Sequence, residues 1–465
     1  MLRTILKRFE RKERRAPSFS ANVIYQFAGK VLSFVLGIGV SIIVARYLGP
    51  KGKGIVNTLQ TFLSFYGTIV LLGIPTALQY FIANRKYPIR DIIGTFCSFV
   101  LYSFFPLTLL LILLTPHLTS TFLKSVPPLL LRVSLLISLL TVYLSPLGYG
   151  LLALRRFNYS FLISTLSLFL RLALLSSFLI ILKWGVWGAF ASDWLLIPLG
   201  IALSFHFLSD VIRLDYFSPQ LDKIILKDML KYGLPMFLGG ILWQVNARFD
   251  VFVVNNYWGA SAVGLYMTGV NYTELLRLFT DSVNSVLFPQ TASISPAEAR
   301  QLTSFLSRIS PLYFLPLASL LYFLSPLIIP LLFGSPFRPS ITVVPYLLPG
   351  IISWIYLGFL WNHLAGRGYP HFNLYGSLVG SISTLLLDFL LIPRWGITGA
   401  SIASSIAYTL TFLVVLHFFK KLENLSFSEI FLPRKRDFIT LMEKMKEMMK
   451  AIRYSRRGGE RDTEG

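Results

Sequence analysis

Long runs of apolar residues, separated by short polar segments, cover nearly the whole chain. Each run is continuously apolar rather than alternating between apolar and polar positions, which favours helices over the strands of a membrane barrel. A helix needs roughly 20 mostly apolar residues to cross a bilayer. The pattern therefore predicts an all-α polytopic membrane protein with about twelve transmembrane helices, at residues 18–47, 56–83, 90–114, 127–150, 157–182, 185–208, 231–256, 261–291, 305–332, 340–364, 371–392 and 397–419.

The composition supports a bilayer as the solvent. Of the 465 residues, 54% are hydrophobic and 14% are charged, whereas an ordinary globular domain carries about 25% charged residues. This excludes the soluble all-β, nucleic-acid-binding and disordered classes despite a net charge of +22, and we expect no nucleic-acid partner. The single cysteine, Cys97, and five scattered histidines favour neither disulfides nor a metal cluster, so we expect no cofactor apart from a coupling ion.

The basic residues follow the topology of the predicted spans. With the N-terminus in the cytoplasm, 31 Lys and Arg residues flank the inner ends of the spans and 7 flank the outer ends. The positive-inside rule then predicts that both termini are cytoplasmic. The basic head, residues 1–17, and the basic tail, residues 420–465, predict contacts with anionic lipids, because residues 438–452 read as an amphipathic helix on the inner leaflet.

Matching segments indicate that the chain is an internal repeat. Three pairs of segments align at offsets of 210 to 212 residues and share glycines or small residues: 44–54 with 254–264, 152–155 with 364–367, and 183–189 with 394–400. The repeat unit is six spans, and an even number makes the two units parallel, with a pseudo-two-fold axis along the membrane normal. Such repeats are typical of transporters, with the substrate path between the two halves.

The repeat predicts the domain organisation. An N-terminal six-helix lobe at 18–208 is followed by a cytoplasmic linker at 209–230 and a C-terminal six-helix lobe at 231–419.

Three segments carry a resemblance to a known family. Residues 45–50 (Ala-Arg-Tyr-Leu-Gly-Pro), Asp250 with Gly259 and residues 263–266, and residues 392–400 resemble polysaccharide repeat-unit flippases of the multidrug/oligosaccharidyl-lipid/polysaccharide exporter superfamily. The resemblance covers about residues 18–419. It implies a transporter of the cell membrane, and no enzyme, that flips a lipid-linked (prenyl-pyrophosphate) oligosaccharide to the outer leaflet by alternating access. Partners among other polysaccharide-assembly proteins stay open.

Ionisable residues within the spans are candidates for function, because they are costly in a bilayer. The first half is mainly cationic and the second mainly acidic, a division that suits an anionic substrate head and a coupling cation. We predict that the anionic head binds to Lys30, Arg171, Arg248, Arg277 and Gln26, the last one helical turn before Lys30. We predict that a coupling ion, H⁺ or Na⁺, binds at Asp250, Glu274 and Asp388.

Two kinds of alternative remain open from the sequence. The charged residues could form interhelical salt bridges, and Glu274, Arg277 and Asp281 have the i+3 and i+4 spacing of a self-neutralising ladder. The function could be export of drugs or organic cations by the same superfamily, or glycan polymerisation or ligation. The basic residues Lys30 and Arg171 count against export of drugs or organic cations. The short outer loops count against glycan polymerisation or ligation.

Overall fold

A computed structural model describes residues 19–439 and 442, with the backbone alone at 19–31, 33, 34, 279, 282, 285 and 286. The described chain is helical, as the apolar runs predict. Its α-helices are α1 (Phe19–Leu71), α2 (Ile74–Asn84), α3 (Ile89–Phe99), α4 (Phe105–Leu113), α5 (Thr115–Thr121), α6 (Pro128–Tyr143), α7 (Pro146–Ala153), α8 (Phe157–Ser176), α9 (Gly185–Trp194), α10 (Leu196–Leu208), α11 (Lys223–Arg248), α12 (Asp250–Thr273), α13 (Leu278–Ser293), α14 (Pro296–Ile309), α15 (Pro311–Phe333), α16 (Val343–Gly366), α17 (Pro370–Glu423) and α18 (Phe427–Phe431).

Short irregular turns join some of these helices. The segments Val100–Phe104 and Ser177–Ile181 are π-helical, and Leu214–Phe217, Glu274–Arg277 and Ser335–Thr342 are 3₁₀-helical. The all-α prediction is confirmed for the described residues.

Within the described residues, nine helical segments are long and apolar enough to cross a bilayer. Two of them, Lys223–Arg277 and Pro370–Glu423, have 55 and 54 residues, well over the roughly 20 that one crossing needs. These two bend at Gly259 and Gly396, and α1 bends at Gly49. The bends favour two crossings in each bent segment, while the count of twelve stays a prediction.

The bends at Gly49 and Gly259 have the same backbone conformation. Gly49 has φ 65° and ψ −174°, and Gly259 has φ 77° and ψ 177°. Only glycine adopts this region without strain. The two glycines occupy equivalent positions in the predicted repeat, so their shared conformation supports the repeat, which itself stays a prediction.

The chain folds into two compact units, each drawn from several parts of the sequence. The first unit consists of the described part of Met1–Gly269 together with Pro326–Val343 and Thr384–Ser401. The second consists of Val270–Ser325, Val344–Ser383 and the described part of Ile402–Gly465. The lobe boundaries predicted from the repeat stay a prediction.

In the first unit, the backbones of α1 and α12 are in direct contact at Gly54 and Gly264. A Cβ atom on Gly54 would overlap the carbonyl oxygen of Ala260, and one on Gly264 would overlap that of Pro50. The two contacts are equivalent at the repeat offset of 210 residues, as a two-fold axis between the helices would require. Glycine at both positions lets the backbones meet, as is typical of helix crossings in membranes.

Two basic side chains of α1 bind the end of α15 in the same unit. The guanidinium of Arg46 donates to the carbonyl of Leu331 and, at 2.8 Å, to that of Leu332, among the last carbonyls of a helix, which lack partners within it. Lys53 is 2% exposed, and its Nζ lies 4.4 Å from the centre of the Phe333 ring, a cation–π contact. These side chains, which the charge count places at the outer ends of the spans, therefore join α1 to α15.

In the second unit, an ion pair fixes the segment that follows α18. Arg308 of α14 binds Asp437 through two bonds, Nε to Oδ2 at 2.7 Å and Nη2 to Oδ1 at 2.8 Å. Its Nη1 donates to the carbonyl of Glu429 at 2.6 Å. Hydrogen bonding from Arg308 holds the pKa of Asp437 below its usual value.

We expect Asp437→Asn to loosen residues 427–439, because it removes the charge from a bidentate pair. The folded pKa of Asp437 lies below the unfolded one, so the pair stabilises the protein above about pH 4 and stops doing so as the pH falls through the folded pKa. Hydrogen exchange of this segment should therefore be faster in the variant than in the wild type at pH 7. The difference should vanish at low pH, and equal exchange at pH 7 would contradict the expectation.

Candidate functional site

Two aspartates from distant parts of the sequence lie together in the first unit. Asp250 begins α12 and is 2% exposed, and Asp388 lies in α17 and is 0% exposed. The segments around them are in contact: the ring of Phe249, next to Asp250, lies 6.1 Å from that of Phe389, next to Asp388. Among the described residues, no hydrogen-bond donor reaches either carboxyl oxygen of Asp388. Two neighbouring buried carboxyl groups can both stay ionised only if a cation accompanies them, and otherwise one of them takes up a proton.

Three polar side chains complete what we name the Asp250–Asp388 cluster. The hydroxyl of Tyr266 donates to Oδ2 of Asp250. One helical turn before the aspartates, Oγ1 of Thr384 donates to Oδ1 of Asn246 at 3.0 Å. All three side chains are buried. The cluster thus gathers carboxylate, amide and hydroxyl oxygens, the donor set that hard cations prefer.

The cluster follows from simple helical spacing. Thr384 precedes Asp388 by four residues within α17, so the two share a helix face. Asn246 precedes Asp250 by the same four residues, across the junction of α11 and α12 at Phe249. Sequence reasoning identified both aspartates but missed Asn246, Thr384 and Tyr266. Their position four residues before an aspartate could have identified Asn246 and Thr384 from the sequence.

Glu274 and Arg277 form part of an acidic and basic ladder in the second unit. Arg277 Nη1 lies 3.6 Å from Glu274, and Nη2 lies 3.7 Å from Asp281. The guanidinium also lies 4.8 Å from the centre of the Trp354 ring. This is the ladder that the i+3 and i+4 spacing predicts, with one guanidinium between two carboxylates. The roles of Arg277 in substrate binding and of Glu274 in coupling stay predictions.

Arg171 of α8 pairs with Asp193 of α9. Its Nε lies 2.6 Å from Oδ1 of Asp193, and its Nη2 donates to Oδ2 at 3.0 Å. The two side chains meet because α8 and α9 follow each other along the chain. This is an interhelical salt bridge of the kind that the sequence left open, and the binding of substrate by Arg171 stays a prediction.

The remaining predicted site residues, Lys30, Gln26 and Arg248, lie on α1 and α11. Lys30 and Gln26 belong to the part of α1 whose backbone alone is described, so their side chains lie outside the described residues. Arg248 is the last residue of α11 and is half-buried. The head and most of the tail helix at 438–452 also lie outside the described residues. The roles of all these residues stay predictions.

We expect the Arg171–Asp193 pair to behave as one unit in stability measurements. Arg171→Ala and Asp193→Ala each leave one charge without its partner, which is costly in a low-dielectric environment. The double variant removes both charges and should unfold at a higher temperature than either single variant. Thermal unfolding of the purified variants in one lipid environment tests this, and additive losses in the double variant would contradict it.

Comparison with known proteins places the chain in a family. The family model described as "Polysaccharide biosynthesis protein" matches residues 43–342. The chain is 25% identical over 203 residues to the probable low-salt glycan biosynthesis flippase Agl15 of Haloferax volcanii, covering 42% of each protein. It is 23% identical over 203 residues to the capsular polysaccharide biosynthesis protein CapF of Staphylococcus aureus, covering 42% of this chain and 50% of CapF. The matches thus span about half or less of the length of these relatives.

Solved structures show the same fold. An inward-facing multidrug resistance MATE family transporter of the MOP superfamily superposes with a TM-score of 0.64 at 18% identity, over 86% of this chain and 98% of that one. The lipid II flippase MurJ, in an inward closed conformation, superposes with a TM-score of 0.66 at 16% identity, over 93% of each chain. At these identities the likeness shows the fold alone. With the family match extending over residues 43–342, the chain belongs to the family of polysaccharide biosynthesis proteins and has the fold of the MATE transporters and of MurJ.

Proposed function

We propose that this protein moves a lipid-linked oligosaccharide from the inner to the outer leaflet of the cell membrane, for the assembly of a surface polysaccharide. Membership of the polysaccharide biosynthesis family supports the substrate class, and the name of the relative Agl15 supports a flippase. The fold it shares with MATE transporters and MurJ supports transport rather than a catalytic reaction.

The physical task is to carry a hydrated sugar head through hydrocarbon while the apolar chain stays in the bilayer. A protein of this kind alternates between inward and outward openings around a fixed site. A coupling cation can drive the cycle only if its binding differs between the two states. We propose that H⁺ or Na⁺ binds and leaves at the Asp250–Asp388 cluster.

The observation that carries this proposal is the burial of Asp388 without a hydrogen-bond donor among the described residues. A purely structural carboxylate in a membrane is normally paired or hydrogen-bonded, because an isolated one is costly. A group that takes up a proton or cation during part of a cycle has to spend another part without it. Asp388, which is buried without a hydrogen-bond donor, is in the condition expected of a group that takes up and releases a proton or cation.

We propose that the cations predicted from the sequence, Lys30, Arg171, Arg248 and Arg277, bind the phosphate groups of the head, with Gln26 as a further polar contact. Lysine binds phosphate as a point charge and arginine as a bidentate donor. Arg171 lies beside Asp193, and Arg277 lies beside Glu274 and Asp281, so at these two arginines a phosphate would compete with carboxylates.

A second candidate function is exchange of organic cations for H⁺ or Na⁺. The MATE fold and the buried carboxylates of the Asp250–Asp388 cluster favour it. The two functions predict different cargo.

An assay with two cargoes in the same proteoliposomes separates these functions. One cargo is a fluorescent short-chain prenyl-diphosphate oligosaccharide, whose movement is read as protection from a membrane-impermeant quencher. The other is ethidium, whose uptake is read with enclosed DNA. We expect movement of the lipid-linked sugar and ethidium uptake equal to that of empty vesicles, and the reverse result would favour the second candidate.

A further inference from the structure

Two sets of polar contacts in the first unit bind a side chain to the end of a helix, and we name them latches. In the Arg46 latch, the guanidinium of Arg46 on α1 donates to the carbonyls of Leu331 and Leu332 near the end of α15. In the Asn255 latch, Nδ2 of Asn255 on α12 donates at 3.1 Å to the carbonyl of Phe122, which caps the end of α5. Carbonyls at helix ends lack partners within the helix, so both latches use the same kind of acceptor.

The two latches are equivalent in the predicted repeat. The acceptors Phe122 and Leu332 lie 210 residues apart, and the donors Arg46 and Asn255 lie 209 residues apart. The glycine contact between α1 and α12 has the same offset of 210 residues. A two-fold axis of the kind that the repeat predicts relates contacts in this way, so the latches form a pair around that axis.

Each latch joins the two lobes that the repeat predicts. The helices α1 and α5 belong to the predicted N-terminal lobe, and α12 and α15 belong to the predicted C-terminal lobe. The topology predicted from the charge count places the four latched segments on the outer side of the membrane. Because a transporter of this kind opens outward by moving its lobes apart on that side, neither latch is compatible with an outward-open state.

The backbone on both sides of the Arg46 latch has a bend beside the contact. On α1, Arg46 and Lys53 flank the bend at Gly49, which has φ 65°. After α15, Gly334 follows Leu332 by two residues and has φ 101°. Glycine turns into and out of such conformations without the strain that other residues meet. The latch can therefore separate by rotation at these glycines while the helices stay intact.

Lys53 contributes to both the closed and the open state. In the closed state it is 2% exposed, and its Nζ donates to Oγ of Ser41 at 3.1 Å and lies 4.4 Å and 5.5 Å from the ring centres of Phe333 and Phe337. An ammonium group has three donors, and burial of its charge is costly. Hydration of Lys53 on opening would offset part of the loss of the Arg46 contacts, which keeps the two states close in free energy.

We propose that the Arg46 latch and the Asn255 latch together hold the outer side of the protein closed, and that both break each time it opens outward. This proposal rests on the proposed transport cycle, to which it adds the residues that control outward opening. Because both latches resist the same movement, loss of either one raises the population of the open state.

Chemical labelling of a buried position behind the latches tests the proposal. Thr58 follows Gly54 by one helical turn on the face of α1 that meets α12. It is 0% exposed, and its hydroxyl has no hydrogen-bond partner among the described residues, so Thr58→Cys removes no described hydrogen bond. Spheroplasts that carry the full-length variant are treated with a membrane-impermeant maleimide, and labelled peptides are quantified by mass spectrometry. Native Cys97, which is 0% exposed in the same unit, reports unfolding.

Two further substitutions, each with a matched control, are compared in the Thr58→Cys chain. Arg46→Leu and Asn255→Leu each remove the donor of one latch and should speed labelling at position 58 about tenfold. Arg338→Leu removes the same charge from an exposed position after α15, and Asn256→Leu changes the neighbour of Asn255. These two controls leave both latches intact and should label at the rate of Thr58→Cys alone.

Latch variants that label no faster than their controls would overturn the proposal. An equal rise in labelling at Cys97 would also overturn it, because the whole unit would then have loosened. Acceleration by one latch variant alone would overturn the pairing of the latches. The labelling needs no added substrate, so faster labelling without movement of the lipid-linked sugar would count against the proposed function alone. Movement of that sugar with unchanged labelling in the latch variants would count against the latches alone.

Discussion

Replacement of Asp388 by Asn is expected to reduce cation-driven transport to the level of empty vesicles while leaving the folded protein as stable as the wild type or more stable. The substitution keeps the shape of the side chain but removes its charge from beside Asp250. A buried charge without compensation destabilises the fold, and the neutral amide of Asn does not carry that cost. Transport is expected to fail because Asn cannot bind and release a proton or balance the charge of a cation.

The matched control is Asp437→Asn, which removes a buried carboxylate that does have a partner. That variant should lower the unfolding temperature, since Arg308 would lose its bidentate acceptor. Opposite signs for the two aspartates would separate a functional carboxylate from a structural one. If Asp388→Asn lowers stability and transports at the wild-type rate, the role assigned to the Asp250–Asp388 cluster is wrong.

Gly54→Ala should destabilise the protein by about 3 kcal/mol, the upper end of the range for overpacking. The new Cβ would overlap the backbone carbonyl of Ala260, which cannot move without separating α1 from α12. Gly264→Ala should cost a similar amount because its contact with Pro50 is equivalent. The double variant should lose less unfolding free energy than the two single variants together, since both substitutions push α1 and α12 apart at the same place.

Gly37→Ala provides the control on the same helix. A Cβ on Gly37 meets nothing within 4 Å, and alanine is a better helix former than glycine by roughly 0.5–1 kcal/mol. Thermal unfolding should therefore rank Gly37→Ala at or above the wild type and Gly54→Ala well below it. Equal unfolding temperatures for the two variants would show that the crossing can relax.

The apolar pattern predicted the helices well because span length and continuous hydrophobicity act locally. It could not distinguish a loop from a bend, so α1 runs as one bent helix from Phe19 to Leu71 where the sequence suggested two spans and a turn. The turn glycine itself was identifiable, since Gly49 and Gly259 match in the repeat.

The candidate site was predictable in its residue types but not in its pairs. Counting the charged candidates within the spans of each half treated Arg171 as an excess cation, yet Asp193 of the next helix lies beside it. The proximity of Asp250 and Asp388, which lie far apart in the sequence, depends on how α12 and α17 pack. No local pattern encodes that packing, although the polar residues one turn earlier mark the faces involved.

The most direct test of the proposed function is the movement of a fluorescent prenyl-diphosphate oligosaccharide across proteoliposomes under an imposed H⁺ or Na⁺ gradient. Wild-type protein should accelerate the movement above the rate of empty vesicles, and one of the two gradients should increase it further. Asp388→Asn in the same vesicles should lose the response to that gradient. Wild-type protein that moves the labelled lipid no faster than empty vesicles under either gradient would contradict the proposal.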